Sequence, residues 1–184
     1  MLDNLLTGLK LLLITVIATF ALAVTQMITE EPIRIQAQKA SDEARAVVLK
    51  NVEEFVSLEV PEGSYPNIIE AHKGLIGNNV IGYTFKTISR GYHGDIIIIV
   101  GIDDNGRLSG VRIAQQTETP GLGARVAEPR FYEQYSGKST ENPIDGNALS
   151  AVSGATVSSN AVTNAVNYAV DYYQAELTSG GGNQ

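Results

Sequence analysis

Two short stretches of this 184-residue chain combine residue types able to hold, or react with, a ligand. The first, Ser153-Gly154-Ala155-Thr156-Val157-Ser158-Ser159-Asn160, opens an amphipathic run. If that run is a helix, its first N–H groups lack intrahelical partners and its dipole favours an anion such as a phosphate. A helix cap needs one hydroxyl, whereas Thr156, Ser158 and Ser159 supply three, behind a Gly-Ala pair that leaves room for a ligand. The second stretch, Glu118-Thr119-Pro120-Gly121-Leu122-Gly123, directly follows a strand-like segment. Pro120 fixes φ, Gly121 admits positive φ and Gly123 permits close backbone approach. The stretch thus predicts a tight turn that presents N–H groups to something flat or anionic. On spacing alone an ordinary connection is the better explanation.

What the chain lacks narrows the chemistry. It contains no cysteine and only two histidines, His72 and His93. Disulfides, thiolate iron–sulfur or zinc sites and a cysteine nucleophile are therefore excluded, and a His-based metal cluster is disfavoured. Any redox chemistry would need a bound organic cofactor. The net charge of −7 opposes nucleic-acid binding, which depends on a basic footprint. Both histidines read as turn or surface residues rather than acid–base groups.

The elements that must position these stretches fall into two unlike parts. Residues 11–28 (LLLITVIATFALAVTQMI) carry no charge, Leu5 and Leu6 extend the apolar face, and Lys10 can snorkel. The segment approaches the ~20 apolar residues that a membrane-spanning helix requires. An uncleaved anchor is favoured over a secretory signal cut after Ala21-Leu22-Ala23, because the region before it holds a single lysine. It is also favoured over a buried core helix. Only Asp3 and Lys10 precede the segment's end, so 12 basic and 19 acidic residues lie beyond it. Lys10 on one side against Arg34, Lys39 and Arg45 on the other leaves orientation open.

Residues 33–57 predict a helix that continues the anchor after a break at Pro32, with apolar positions from Ile33 to Val56 at three-to-four spacing. Residues 58–79, rich in Pro and Gly, read as loop. Residues 80–88 alternate as a strand, Gly91-Tyr92-His93-Gly94 reads as a turn, and the β-branched run 95–102 predicts a strand buried on both faces. Asn105-Gly106 signals a hairpin returning through 107–116, so the middle of the chain is an antiparallel meander. Residues 124–135 suggest a short helix broken near Pro129. Residues 157–177 predict the clearest helix, with Tyr168, Tyr172 and Tyr173 as core and rim aromatics. The fold class is α+β: an N-terminal transmembrane helix, then an antiparallel sheet with flanking helices. The predicted segments are an anchor at 1–29, a helical connector at 30–57, a ligand-bearing domain at 58–178 and a disordered tail at 179–184.

In this order, behind an anchor, Glu-Thr-Pro-Gly-Leu-Gly followed by Ser-Gly-Ala-Thr at a helix start resembles the covalent FMN-binding domain family. Over essentially its whole length the chain resembles that family's RnfG branch, found in ion-translocating Rnf complexes (ferredoxin:NAD+ oxidoreductases). The related NqrC branch, found in sodium-pumping quinone reductases, shares both motifs but its members are generally longer. The resemblance implies FMN esterified through its phosphate to Thr156, delivered by a flavin transferase that uses FAD. Ser153, Gly154 and Ala155 would form the recognition sequence. Glu118, Thr119, Pro120, Gly121, Leu122 and Gly123 would pack against the flavin, with Thr119 and Leu122 near the ring. Ser158 and Ser159 would line the helix start. Lys138, in Ser136-Gly137-Lys138, reads first as a solvated surface lysine and otherwise as a cation that approaches the phosphate. The family usually has Asp three residues before this Ser, and here Ser150 stands there.

The implied function is electron transfer within a membrane complex that couples ferredoxin oxidation and NAD+ reduction to Na+ or H+ translocation. The implied partners are RnfD with its own FMN, RnfA and RnfE, in a complex also containing RnfB and RnfC, together with the lipid bilayer. The flavin domain would lie on the outer face of the membrane. A reading from a different class is an anchored binding module without redox function, in which both motifs are only turns and caps.

Overall fold

A single helix, α1, runs from Leu2 to Val48 in the computed structural model, which describes residues 2–61 and 63–178. The predicted tail at 179–184 lies outside the described residues. α1 does not break at Pro32. Proline deletes its own N–H from the ladder, but good helix formers on both sides (Glu30, Glu31, Gln36, Ala37) sustain it. Leu6–Val48 contains a stretch long and apolar enough to cross a membrane. Leu9, Leu12, Ile14, Ile17 and Phe20 are exposed, which rules out the core-helix reading. Its threonines are compatible with an apolar surrounding because they bond back to the helix. Thr15 donates to the Leu12 carbonyl at 2.9 Å, Thr25 to Ala21 at 2.9 Å and Thr29 to Thr25 at 2.8 Å.

The chain divides into two compact units, Met1–Lys39 and Ala40–Gln184. The second is built on a five-stranded sheet in chain order, every pair antiparallel. Its strands are β1 (Glu54–Leu58), β2 (Ile68–Ile76), β3 (Asn79–Arg90), β4 (Asp95–Asp103) and β5 (Leu108–Gln115). The predicted strands at 80–88, 95–102 and 107–116 are present as β3 to β5. β1 occupies the end of the segment expected to be helical. Phe55 and Val56 continue the helical spacing, but β2 offers them a ladder, and register pairing overrides local period. β2 lies inside the expected loop and contains His72, which is therefore a strand residue. Shifts in the β2–β3 register at Ile68/Glu70 and Gly74/Leu75 interrupt the alternation that would have announced it.

One sheet face buries Phe85, Ile96, Ile98, Val100, Ile102 and Val111 against helix α3 (Thr156–Tyr172). Val162, Ala165, Val166 and Ala169 of α3 are fully buried. Tyr172 meets Tyr65 and Phe85 edge-on at centroid distances of 4.8 and 5.6 Å, and Tyr173 lies 5.7 Å from Tyr83. Before α3, residues 123–135 form a 3-10 turn, the short helix α2 (Pro129–Tyr132) opened by its proline, and a second 3-10 turn.

The opposite sheet face receives the last turn of α1. Gly74, Gly82, Gly101 and Gly110, one on each of β2 to β5, floor a shallow seat for Val48 and Leu49. A Cβ on Gly74 would lie 2.7 Å from Leu49 Cδ2, and one on Gly101 would lie 2.8 Å from the Val48 carbonyl oxygen. Ser109 Oγ donates to that carbonyl at 2.6 Å, giving one of the helix's terminal acceptors a partner. Beside the seat, the buried Arg45 guanidinium pairs with Asp42 at 2.7 Å and Glu70 at 2.9 Å, and Lys86 reaches Glu70 at 3.0 Å. β4 is thus covered on both faces, as its uninterrupted β-branched run requires.

The Gly101 contact is with backbone, which cannot rotate away. Gly101→Ala is expected to lower stability by about 1–3 kcal/mol. Thermal unfolding of the detergent-solubilised chain, followed by tyrosine fluorescence, measures it.

Candidate functional site

The two motif stretches meet, with the 91–94 turn, around one carboxylate. Glu118 leaves the end of β5 and is 4% exposed. Its Oε1 accepts N–H bonds from His93 at 2.9 Å and Gly94 at 3.3 Å, and its Oε2 accepts one from Tyr92 at 3.3 Å. Ser158, in the first turn of α3, donates its hydroxyl to the same Oε2. Burial pushes this carboxyl up, but the Ser158 hydroxyl and the three N–H donors outweigh it and hold the group below its ordinary value. The packing around it tolerates no further side chain. A Cβ on Gly123 would lie 2.5 Å from Glu118 Oε2, and one on Gly91 would lie 2.6 Å from Oε1. Those two glycines are needed for close approach, whereas Gly121 and Gly154 adopt φ of 76° and 78° and so need the freedom of glycine to turn the chain.

Beside this junction is a cavity of about 450 Å³, within the range of small-molecule and cofactor sites. Thr119, Leu122 and Gly123 line it from the turn after β5, and Gly154 to Ser158 line it from the start of α3. Tyr92 closes a third side. Tyr92, Leu122 and Val157 are 73%, 48% and 52% exposed, an apolar rim that a flat ligand would cover. Thr156 is the first residue of α3 and is exposed, and its hydroxyl has no hydrogen bond among the described residues. The residue before it, Ala155, offers no side-chain cap, so the first N–H groups of α3 remain available to an acceptor.

Not every expected residue reaches the cavity. Ser153, Pro120 and Gly121 shape the two loops outside its lining. Ser159 is buried and occupied, donating to the Ala155 carbonyl at 3.0 Å and accepting the Val152 N–H at 3.0 Å, so it braces the turn before Thr156. Lys138 is elsewhere. Its carbonyl accepts the Leu108 N–H at the opposite end of β5, and its side chain lines a separate cleft with Glu141 and Asn142. A run of eight residues at ~3.3 Å each lies between that end and the cavity. Ser150 is exposed, its backbone held by the Gln134 amide at 2.8 and 3.2 Å. Of the histidines, His93 contributes only its backbone N–H to Glu118, and His72 sits half-buried on β2, where burial and the nearby Arg45 hold its imidazole below the ordinary value. Sequence reasoning missed Tyr92 and the organising role of Glu118. The available signal was an aromatic residue between two glycines at 91–94.

A meander backed by one helix, with a cavity where that helix begins, follows a helix apolar enough to cross a membrane. The FMN-binding domain family matches residues 91–171, which contain both motif stretches. The chain is 33% identical to the RnfG-type component of the Na(+)-translocating ferredoxin:NAD(+) oxidoreductase complex of Acetobacterium woodii, over 91% of this chain and 90% of that one. It is 30% identical to the corresponding component of the ion-translocating oxidoreductase complex of Methanosarcina acetivorans, over 90% and 92%. It therefore belongs to the RnfG family of ion-translocating oxidoreductase (Rnf) complexes. Its fold is shared with the NqrC-type component of the Na(+)-translocating NADH-quinone reductase from Parabacteroides distasonis, at a TM-score of 0.59 and 16% identity over 79% of this chain and 96% of that one.

Because its pKa is lower folded than unfolded, Glu118 adds stability that is fully present above the ordinary carboxyl value of 4.5 and is lost as pH falls through the lower folded value. At neutral pH, Glu118→Ala is expected to cost roughly 2–4 kcal/mol, since it strands Ser158 and three N–H groups. The stability gap between wild type and Glu118→Gln should narrow as pH drops below 4.5, as read by denaturant titration at each pH.

Proposed function

We propose that this chain is the membrane-anchored electron carrier of an Rnf-type ferredoxin:NAD+ oxidoreductase, with FMN joined to Thr156 by a phosphoester. The observation that carries the reading is the unpartnered, exposed Thr156 hydroxyl at the uncapped start of α3, on the edge of an apolar-rimmed cavity. FMN, when bound, supplies one- and two-electron redox chemistry. The chain's own residues do the rest. The first N–H groups of α3 and the helix dipole favour the single negative charge of a phosphodiester without a lysine. Leu122, Val157 and Tyr92 provide apolar cover for a flat ring. Gly154 and Ala155 leave the transferase access to Thr156, and Ser150 in place of the usual Asp leaves that acceptor intact.

The anchor lies in the apolar part of α1, and residues 40–178 carry the flavin. The names of the relatives give Na+ translocation in Acetobacterium woodii. By the same family logic this protein works among RnfA, RnfB, RnfC, RnfD and RnfE, passing electrons between redox centres of those partners. Its flavin domain belongs on the outer face of the membrane.

The linkage is tested on the full chain co-expressed with a flavin transferase. A denaturing gel should show flavin fluorescence in the protein band, lost in Thr156→Ala and retained in Ser158→Ala, and mass spectrometry should place the adduct on the Thr156 peptide. A dark wild-type band would sink the proposal. Sidedness is tested independently. The chain has no cysteine, so Asn142→Cys, at an exposed position, creates a unique label site. It should react with a membrane-impermeant maleimide in intact cells.

A further inference from the structure

The cavity has one buried charge. The Glu118 carboxylate lines it, and among the described residues that line it none is Lys, Arg or His. Everything that compensates Glu118 is a dipole: three backbone N–H groups and the Ser158 hydroxyl. Dipoles stabilise an anion locally but do not cancel its charge, and a buried charge acts on a neighbour more strongly than one in bulk water.

We infer that Glu118 is a fixed anion that holds down the midpoint potential of a flavin seated in this cavity. The inference rests on the FMN reading above. Two-electron reduction of an isoalloxazine adds two negative charges, which the protons taken up offset in whole or in part. Where one proton is taken up, the reduced ring carries one more negative charge than the oxidised ring. A neighbouring carboxylate disfavours that added charge, so reduction becomes harder and the potential falls. Hydrogen bonds from Ser158 and the 92–94 turn withdraw charge from the carboxylate and temper the effect. The lowered pKa of Glu118 keeps it ionised at neutral pH, in agreement with this role.

Two variants separate charge from scaffolding. Glu118→Gln keeps the shape. Its carbonyl oxygen can still accept from His93 and Gly94, and its amide can donate to Ser158 Oγ, at the expense of the weaker Tyr92 bond. Ser158→Ala keeps the charge and removes one compensating dipole. The midpoint potential of the flavinylated full chain in detergent is measured by spectroelectrochemical titration with a chemical reductant and mediators. Glu118→Gln should shift it upward and Ser158→Ala downward. Loosening of the cavity without an electrostatic effect would move both variants in the same direction, and that result overturns the inference, as does an unchanged potential in either one. If Glu118→Gln fails to fold or to take up flavin, Ser158→Ala is compared with Ser158→Thr, which restores the hydroxyl: a downward shift in the first that the second reverses supports the inference, and an equal shift in both overturns it. A wild-type chain that carries no flavin would instead refute the functional reading, and in-gel fluorescence reports that separately.

Discussion

The organisation of the site depends on burying one carboxylate and satisfying it completely. A buried ionised group without partners costs several kcal/mol, so Glu118 is tolerable only where four donors converge. Those donors come from a β-turn between β3 and β4 and from the first turn of α3, segments 64 or more residues apart in sequence. Satisfying Glu118 therefore fixes the turn bearing Tyr92 against the helix that begins at Thr156. Gly91 and Gly123 are small for the same reason, since each stands where a side chain would strike the carboxylate. The cavity is the space left beside this junction. Its polar groups are turned inward on Glu118, which leaves an apolar rim and a free threonine facing out.

The second fastening is of a different kind. On the far sheet face, the absence of side chains at four glycines makes the seat, and the end of α1 fills it. Ser109 and the Arg45–Glu70–Lys86 cluster then add polar bonds around an apolar contact. The sheet thus has two unlike partners: α3 through broad interdigitation of Val, Ala and Tyr, and the last turn of α1 through close backbone approach.

Much of this was legible in the sequence. The 3.6-period stripe of α3, the β-branched run of β4 and Asn105-Gly106 all have strong local signatures, and each element stands where it was expected. Both motif stretches line one cavity. β1 and β2 were not legible, because Phe55-Val56 fits a helical period and bulges disturb the alternation of β2. Pro32 announced a break that the flanking helix formers suppress. In the site, residue types identified the hydroxyls but not their orientation. Ser158 and Ser159 look equivalent to Thr156 in the sequence, yet both are spent on internal bonds, and Lys138 is carried to the wrong end of β5. Which hydroxyl is left over depends on where Glu118 lies, and that is a tertiary fact.

The seat of α1 also bears on biogenesis. The hydrogen bond from Ser109 to the Val48 carbonyl spans 61 residues of chain, so the seat cannot close until β5 has been synthesised and paired. Contacts of long sequence separation form late, because their loop-closure entropy must be met first. The N-terminal helix leaves the ribosome well before its own receptor exists. Throughout that interval its apolar length and the unfinished sheet are both exposed, and the bilayer is the available refuge for the helix. Thr156, synthesised later still, acquires its organised surroundings only after the sheet has closed. The order of synthesis thus separates emergence of the apolar helix from formation of the cavity beside Thr156 in time.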